Sequence, residues 1–198
     1  MKQAIIKKGI VIAEEVPSPQ VSYGNVLIKV VYSCISAGTE MSSVQTSGTN
    51  IIKRAIDNPA LVKKVIDNFK SEGIQKVFNK VKGKLDGGSP TGYSLSGIVL
   101  EVGGGVQKFQ KGDRVTASGS GIANHAEYVN VPQNFIVKIP NQLSFKKAST
   151  VTLGAIAMQG VRRLDLKMGE HVVVFGAGIL GLLAIQILNN AGVRIIAI

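Results

Sequence analysis

From Met1 to about Lys138 the chain runs in short stretches where apolar and polar residues alternate, each closed by glycine, proline or asparagine. Alternation with a period of two sends neighbouring side chains to opposite faces, which predicts strands. The stretches are Gln3–Lys7, Ile10–Glu14, Asn25–Ile35, Ser96–Val102, Arg114–Ala117, His125–Val131 and Phe135–Ile139. Many short strands with close turns predict a barrel-like β unit.

Two regions break that pattern. Asn58–Pro59 reads as a helix start, a cap residue followed by proline where no amide hydrogen is needed. Leu61, Val62, Val65, Ile66 and Phe69 then recur at helical spacing, and Gly73 can end the helix. A second apolar stripe follows in Ile74, Val77, Phe78, Val81 and Leu85. A helical insert is therefore expected over about 50–86. After Ser144, a cap for a short helix through Ser149, a second helix is expected at Gly154–Leu164. Then come an apolar strand His171–Phe175, a glycine turn, a helix to about Asn190 and a strand Arg194–Ile198. These strands are apolar enough to be covered on both faces.

Composition narrows the class. Of the 198 residues 45% are hydrophobic and 18% charged, which supports a packed core and argues against disorder. A single cysteine, Cys34, excludes an intramolecular disulfide and a four-cysteine zinc lobe. The start carries no signal-peptide pattern, and Gly178–Leu188 is too short to span a bilayer, so a cytoplasmic protein without a membrane role is expected. The net charge of +11 is unevenly spread: Lys53–Lys84 holds nine Lys/Arg against three Asp/Glu. That surplus suits a solvated hairpin, or a lid that favours an anionic small-molecule substrate. No nucleic-acid recognition motif accompanies it, so nucleic acid is not expected as a partner.

The glycine turn carries the chemistry. Gly176-Ala-Gly178-Ile179-Leu180-Gly181 follows an apolar strand and opens a helix, the context of a dinucleotide-binding loop. Gly176 would permit the tight turn, Gly178 would let a pyrophosphate approach the backbone, and Gly181 would let helix pack on strand. The helix N-terminus, at Ile179, Leu180 and Gly181, would offer free amides to the phosphates of NAD or NADP. The acidic residue that grips the ribose is expected about 20 residues further on. Only 17 residues follow Gly181, so the choice between NAD and NADP is not legible.

Ahead of that loop stand VYSCISAGTE, PTGYSLSGIVLEVGGGV, FQKGDRV, ANHAEYVNVP and TLGAIAMQGV, in that order. Together with the loop they resemble the medium-chain dehydrogenase/reductase superfamily, alcohol-dehydrogenase-like proteins with a GroES-like catalytic domain and a Rossmann cofactor domain. SAGTE, the helical insert and PTGYS are similar to a bacterial two-domain oxidoreductase subgroup. The resemblance implies a mixed α+β chain: a GroES-like β-barrel domain at 1–143 with the insert, then the first β–α–β of a Rossmann fold at 144–198.

It also implies where reaction chemistry would lie. Zinc members carry Cys-Gly-Thr-Asp and Gly-His-Glu stretches that contribute metal ligands. Here Ser36, Gly38-Thr39-Glu40 and Gly92-Tyr93-Ser94 stand at those places. A hydroxyl and a phenol replace the thiolate and imidazole, so no metal is expected. A site from Cys34, Glu40 and His125 is the alternative, if Cys34 and Ser36 share one side of a strand. Thr39 matches the family's substrate-contacting hydroxyl, Tyr93 is a candidate proton donor, and Glu40 a supporting carboxylate. Tyr93 could equally fill the space of the lost metal. His125 and His171 are expected to be structural.

The expected function is the N-terminal portion of a zinc-independent NAD(P)-linked oxidoreductase, moving hydride to or from an alcohol or carbonyl. The alternative is a non-catalytic ligand- or partner-binding module. A sheet of two parallel strands cannot close a cofactor crevice, so this chain should be inactive by itself and should self-associate through its apolar surface.

Overall fold

The computed structural model describes residues 1–48, 87–167 and 169–198. The expected insert at about 50–86, with both its helices, lies outside the described residues. The chain divides into two compact units, Met1–Pro17 with Ala37–Thr91, and Ser18–Ser36 with Gly92–Ile198.

In the first unit β1 (Lys2–Lys7) and β2 (Ile10–Glu15) form an antiparallel hairpin in which Lys7 faces Ile10 across a two-residue turn. The short β4 (Ser89–Pro90) pairs with the other edge of β1. Ile5 and Ile6 are the buried apolar residues of this sheet. Helix α1 spans Ala37–Gly48, which the sequence pattern did not predict. Its side chains have little apolar character. Instead Ser43 and Thr46 donate hydrogen bonds to the carbonyls four residues before them, and Ser47 to that of Val44. The Ser47 hydroxyl also accepts from the Gly9 amide at 2.9 Å, which ties the helix to the hairpin turn.

The second unit is built on a five-stranded antiparallel sheet. Its strands are β3 (Asn25–Ser33), β5 (Ser94–Val102), β6 (Arg114–Ser118), β7 (Tyr128–Pro132) and β8 (Ile136–Lys138), in the order β7-β3-β5-β6-β8. The register sets Val26 opposite Val131 and Ile28 opposite Val129. All four of these side chains lie in the core with Leu95, Val99 and Val115. Two register shifts in the β3–β5 pairing bend β3. The strand ends at Ser33, two residues earlier than its apolar run suggests. The run beginning at His125 enters the sheet only at Tyr128.

After the sheet, Ser144 caps α2 (Phe145–Ala148), its hydroxyl accepting from the Lys147 amide. Helix α3 (Val151–Arg163) follows, starting three residues before the expected Gly154. Then β9 (His171–Val174), α4 (Ile179–Asn190) and β10 (Arg194–Ala197) form a β–α–β unit, with β9 and β10 parallel. Helices α3 and α4 pack together, and Leu153, Ala157 and Leu188 are buried. Among the described residues no helix is long and apolar enough to cross a membrane.

Candidate functional site

The glycine turn occupies the carboxyl ends of the parallel strands. The Gly176 amide donates to the Ile198 carbonyl at 2.7 Å, and the Ile198 amide to Val174 at 3.0 Å, so the pair of strands extends to the mouth of the loop. Gly176 has φ 91°, a left-handed conformation that favours glycine. A Cβ on Gly181 would collide with the Gly176 carbonyl oxygen, so helix and turn close up only with glycine there. Gly178 differs, because a Cβ on it would meet nothing within 4 Å. It is the N-cap of α4, and no side chain caps that end. The amides of Ile179, Leu180 and Gly181 therefore face outward without intrahelical partners. Open space over an uncapped helix start is what a pyrophosphate needs, so the residues present fit a dinucleotide.

Tyr93 lies in the same compact unit, one residue before β5, and is half-buried. Its backbone is held on both sides. Gly92, before it, has φ 99°, and a Cβ there would lie 2.6 Å from the His125 amide nitrogen and 2.9 Å from its ring. The turn is thus shaped around His125, whose Nδ1 is buried while the residue as a whole is half-buried. The Tyr93 carbonyl accepts from the Gly119 amide at 3.0 Å and from the Thr152 hydroxyl at 3.3 Å.

Ser94 has a separate occupation. It is fully buried, and its hydroxyl donates to the Ser149 carbonyl at 2.5 Å and accepts from the Thr152 amide at 3.3 Å. Ser96 and Thr116 likewise donate to the carbonyls of Phe145 and Ala148, at 2.6 and 2.9 Å. Three hydroxyls of the sheet therefore satisfy backbone carbonyls in and just after α2. The sequence reading did not foresee this seam. Its one signal was the density of Ser and Thr in PTGYSLSG, unusual for a buried strand.

Thr39 and Glu40 belong to the first unit, in the opening turn of α1. Thr39 is exposed and Glu40 half-buried. The Thr91 hydroxyl donates to the Glu40 carboxylate at 3.4 Å. A carboxylate in the first turn also suits the helix dipole. Cys34 and Ser36 do not share a strand face, because β3 stops at Ser33 and the alternation does not reach them. The Cys34 thiol lies 3.9 Å from the Ile35 carbonyl, and Ser36 is buried. Among the described residues no three His, Cys, Asp or Glu side chains are grouped as a metal would require.

An antiparallel sheet bearing Tyr93, followed by a β–α–β unit with a glycine loop at its carboxyl ends, is the architecture of a GroES-like catalytic domain leading into a Rossmann cofactor domain. Residues 74–141 match the family described as alcohol dehydrogenase GroES-like domain. That match takes in 68 of the 198 residues and marks a likeness to this family over that segment. The chain is 33% identical over 124 residues to (R,R)-butanediol dehydrogenase of Bacillus subtilis (strain 168), a match covering 51% of this chain and 36% of that protein. It is 32% identical over 108 residues to a quinone oxidoreductase of Pongo abelii, covering 53% of this chain and 33% of that one. The Escherichia coli quinone oxidoreductase solved with NADPH superposes with a TM-score of 0.74 at 17% identity, covering 100% of this chain and 52% of that one. The chain thus spans about half of that solved structure, and its sequence matches cover about a third of the two relatives. A mycobacterial structure described as complexed with NADPH superposes with a TM-score of 0.71 at 21% identity, covering 100% of this chain and 52% of that one.

Proposed function

We propose that this chain contributes the catalytic barrel and the opening of the cofactor fold of a zinc-independent NAD(P)-dependent oxidoreductase acting on an alcohol or carbonyl. The observation that carries the reading is the turn Gly176–Gly181: open at Gly178, closed at Gly181 and followed by an uncapped helix start. The amides of Ile179, Leu180 and Gly181 would hold the pyrophosphate. The nicotinamide, when bound, supplies the hydride acceptor or donor at its C4.

The protein's own residues then have to manage one proton. As an alcohol loses hydride from its carbinol carbon, its hydroxyl proton must leave; in reduction, the new alkoxide must gain one. Tyr93, held at its backbone, is the candidate for that exchange, and Thr39, by its resemblance to the family's hydroxyl residue, is a separate candidate for substrate contact. Glu40 supports the Thr39 turn. Ser36 and Tyr93 supply a hydroxyl and a phenol where a metal would want a thiolate and an imidazole, which supports a reaction without zinc. The basic segment Lys53–Lys84 supports an anionic substrate. The exposed apolar side chains of Val173, Phe175, Leu182, Ile196 and Ile198 support self-association of this chain.

Two measurements test the reading. Nicotinamide absorbance, followed in the protein at its natural length with a panel of polyols, sugar phosphates, aldehydes and quinones, should show turnover with at least one pair. No turnover with any pair would reject the enzyme and leave the ligand-binding module. Elemental analysis after mild chelation should find no stoichiometric zinc; about one zinc per chain would overturn the metal-free chemistry.

A further inference from the structure

Ser94 and Thr152 exchange hydrogen bonds across two elements. The Thr152 amide, in the first turn of α3, donates to the Ser94 hydroxyl, and the Thr152 hydroxyl donates back to the carbonyl of Tyr93, the neighbour of Ser94. Within a single helix such reciprocity is a capping box, in which a hydroxyl of one residue and the side chain of another satisfy each other's amides. Here the hydroxyl comes from a strand 58 residues earlier, and the return bond goes to a carbonyl. The N-cap of α3 is Thr150, whose own side chain makes no capping bond and donates instead to the Lys147 carbonyl. Ser94 therefore does for α3 what its own N-cap does not.

The arrangement bears on Tyr93 from three sides. Gly119 and Thr152 both donate to its carbonyl. Gly119 also accepts from the Ile122 and Ala123 amides, so the loop that leads to His125 closes on the same point. Gly92 lets His125 pack where a side chain would otherwise stand. The Tyr93 carbonyl is thus held by two donors, while its side chain remains half-exposed. We propose that Ser94 and Thr152 are positioning residues for Tyr93, a cross-element cap that fixes the phenol's bearing by joining the start of β5 to the start of α3. The glutamate of the zinc-type Gly-His-Glu stretch is replaced at this place by a residue whose hydroxyl is used up in capping. This inference rests on the proposed role of Tyr93, but its test does not depend on turnover.

The protein has four tyrosines and no tryptophan, so 3-fluorotyrosine labelling gives four 19F resonances, and Tyr93→Phe identifies the one in question. Thr152 is half-buried, and Thr152→Val keeps its shape and its amide while deleting the hydroxyl. The Tyr93 resonance should shift or broaden at least about twofold in Thr152→Val, as exchange between orientations sets in, while the other three hold. Thr152→Ser, which restores the hydroxyl, should return it to the wild-type position. Ser94→Ala should perturb the same resonance from the other partner. An unchanged Tyr93 line in both Thr152→Val and Ser94→Ala, with the other three lines native, would overturn the proposal. Equal movement of all four lines would overturn it as well, since it would mean general loosening. Absence of turnover in the wild-type protein would remove the oxidoreductase reading and leave this result standing on its own.

Discussion

Asp113 and Lys138 form an ion pair 2.8 Å apart, between the turn that precedes β6 and the end of β8. The Gln110 amide adds a bond to the same carboxylate oxygen at 2.9 Å. The Asp113 carboxyl is held below its ordinary value of 3.8, chiefly by the hydrogen bond from Lys138; desolvation opposes this, and the Gln110 amide and the Lys138 charge assist. A carboxyl depressed on folding stabilises the fold above its unfolded value and loses that contribution as pH falls through its folded value. Lys138 is 54% exposed, so water screens the pair, and its worth should not exceed about 1 kcal/mol. Lys138→Met should therefore lower Tm slightly at neutral pH, and the gap from wild type should narrow below about pH 4. A gap that stays constant from pH 7 to pH 2.5 would show that the lysine acts through packing alone.

At the scale of elements, α4 offers the clearest contrast. Leu188 is 1% exposed and Leu182 is 50% exposed, although both belong to the same apolar run. Leu188→Ala should cost about 2–5 kcal/mol in chemical denaturation, through lost burial and the cavity left behind. Leu182→Ala should cost under about 1 kcal/mol. Equal losses would mean that the two faces of α4 are equally packed. The same helix shows what was legible in the sequence. Its start was marked by glycines with distinct duties, and its end by Asn190 ahead of Ala191–Gly192. Strands were legible where one face is buried, as with Val26 and Ile28 in β3. Helix α1 was not, because AGTEMSSVQTSG lacks a stripe and its helix rests on hydroxyls bonding back to carbonyls. Strand β5 begins at Ser94, two residues before the expected Ser96. The burial of Ser94 is bearable only because Ser149 and Thr152, more than fifty residues away, meet its hydroxyl. In the candidate site the same division holds: the glycine loop is local and was readable, while the Tyr93 support comes from Gly119 and Thr152, whose proximity no spacing in the sequence announces.

For the whole molecule the decisive quantity is how much of a dinucleotide this chain can grip. The loop offers amides at Ile179, Leu180 and Gly181 and open space at Gly178. A dinucleotide needs more: an acidic residue on the ribose about 20 residues past the loop, and further strands on which the nicotinamide rests. Strand β10 ends at Ala197, and its tip carries Ile198, which is 65% exposed and apolar. A few phosphate contacts by themselves correspond to binding of about millimolar strength, roughly 4 kcal/mol. Gly181→Val, which would drive a side chain into the Gly176 carbonyl, should weaken the binding of NAD or NADP at least about tenfold, or 1.4 kcal/mol. Titration calorimetry on the wild type and the variant decides the point, and equal affinities would mean that the loop does not hold the cofactor. Sedimentation velocity belongs beside it, because Phe175 and Ile198 flank the loop with exposed apolar surface through which a second copy could associate. Micromolar binding that rises with protein concentration would mean that association adds to the grip on the cofactor. Micromolar binding by a monomer would mean that the loop and β10 hold far more of the cofactor than their amides account for.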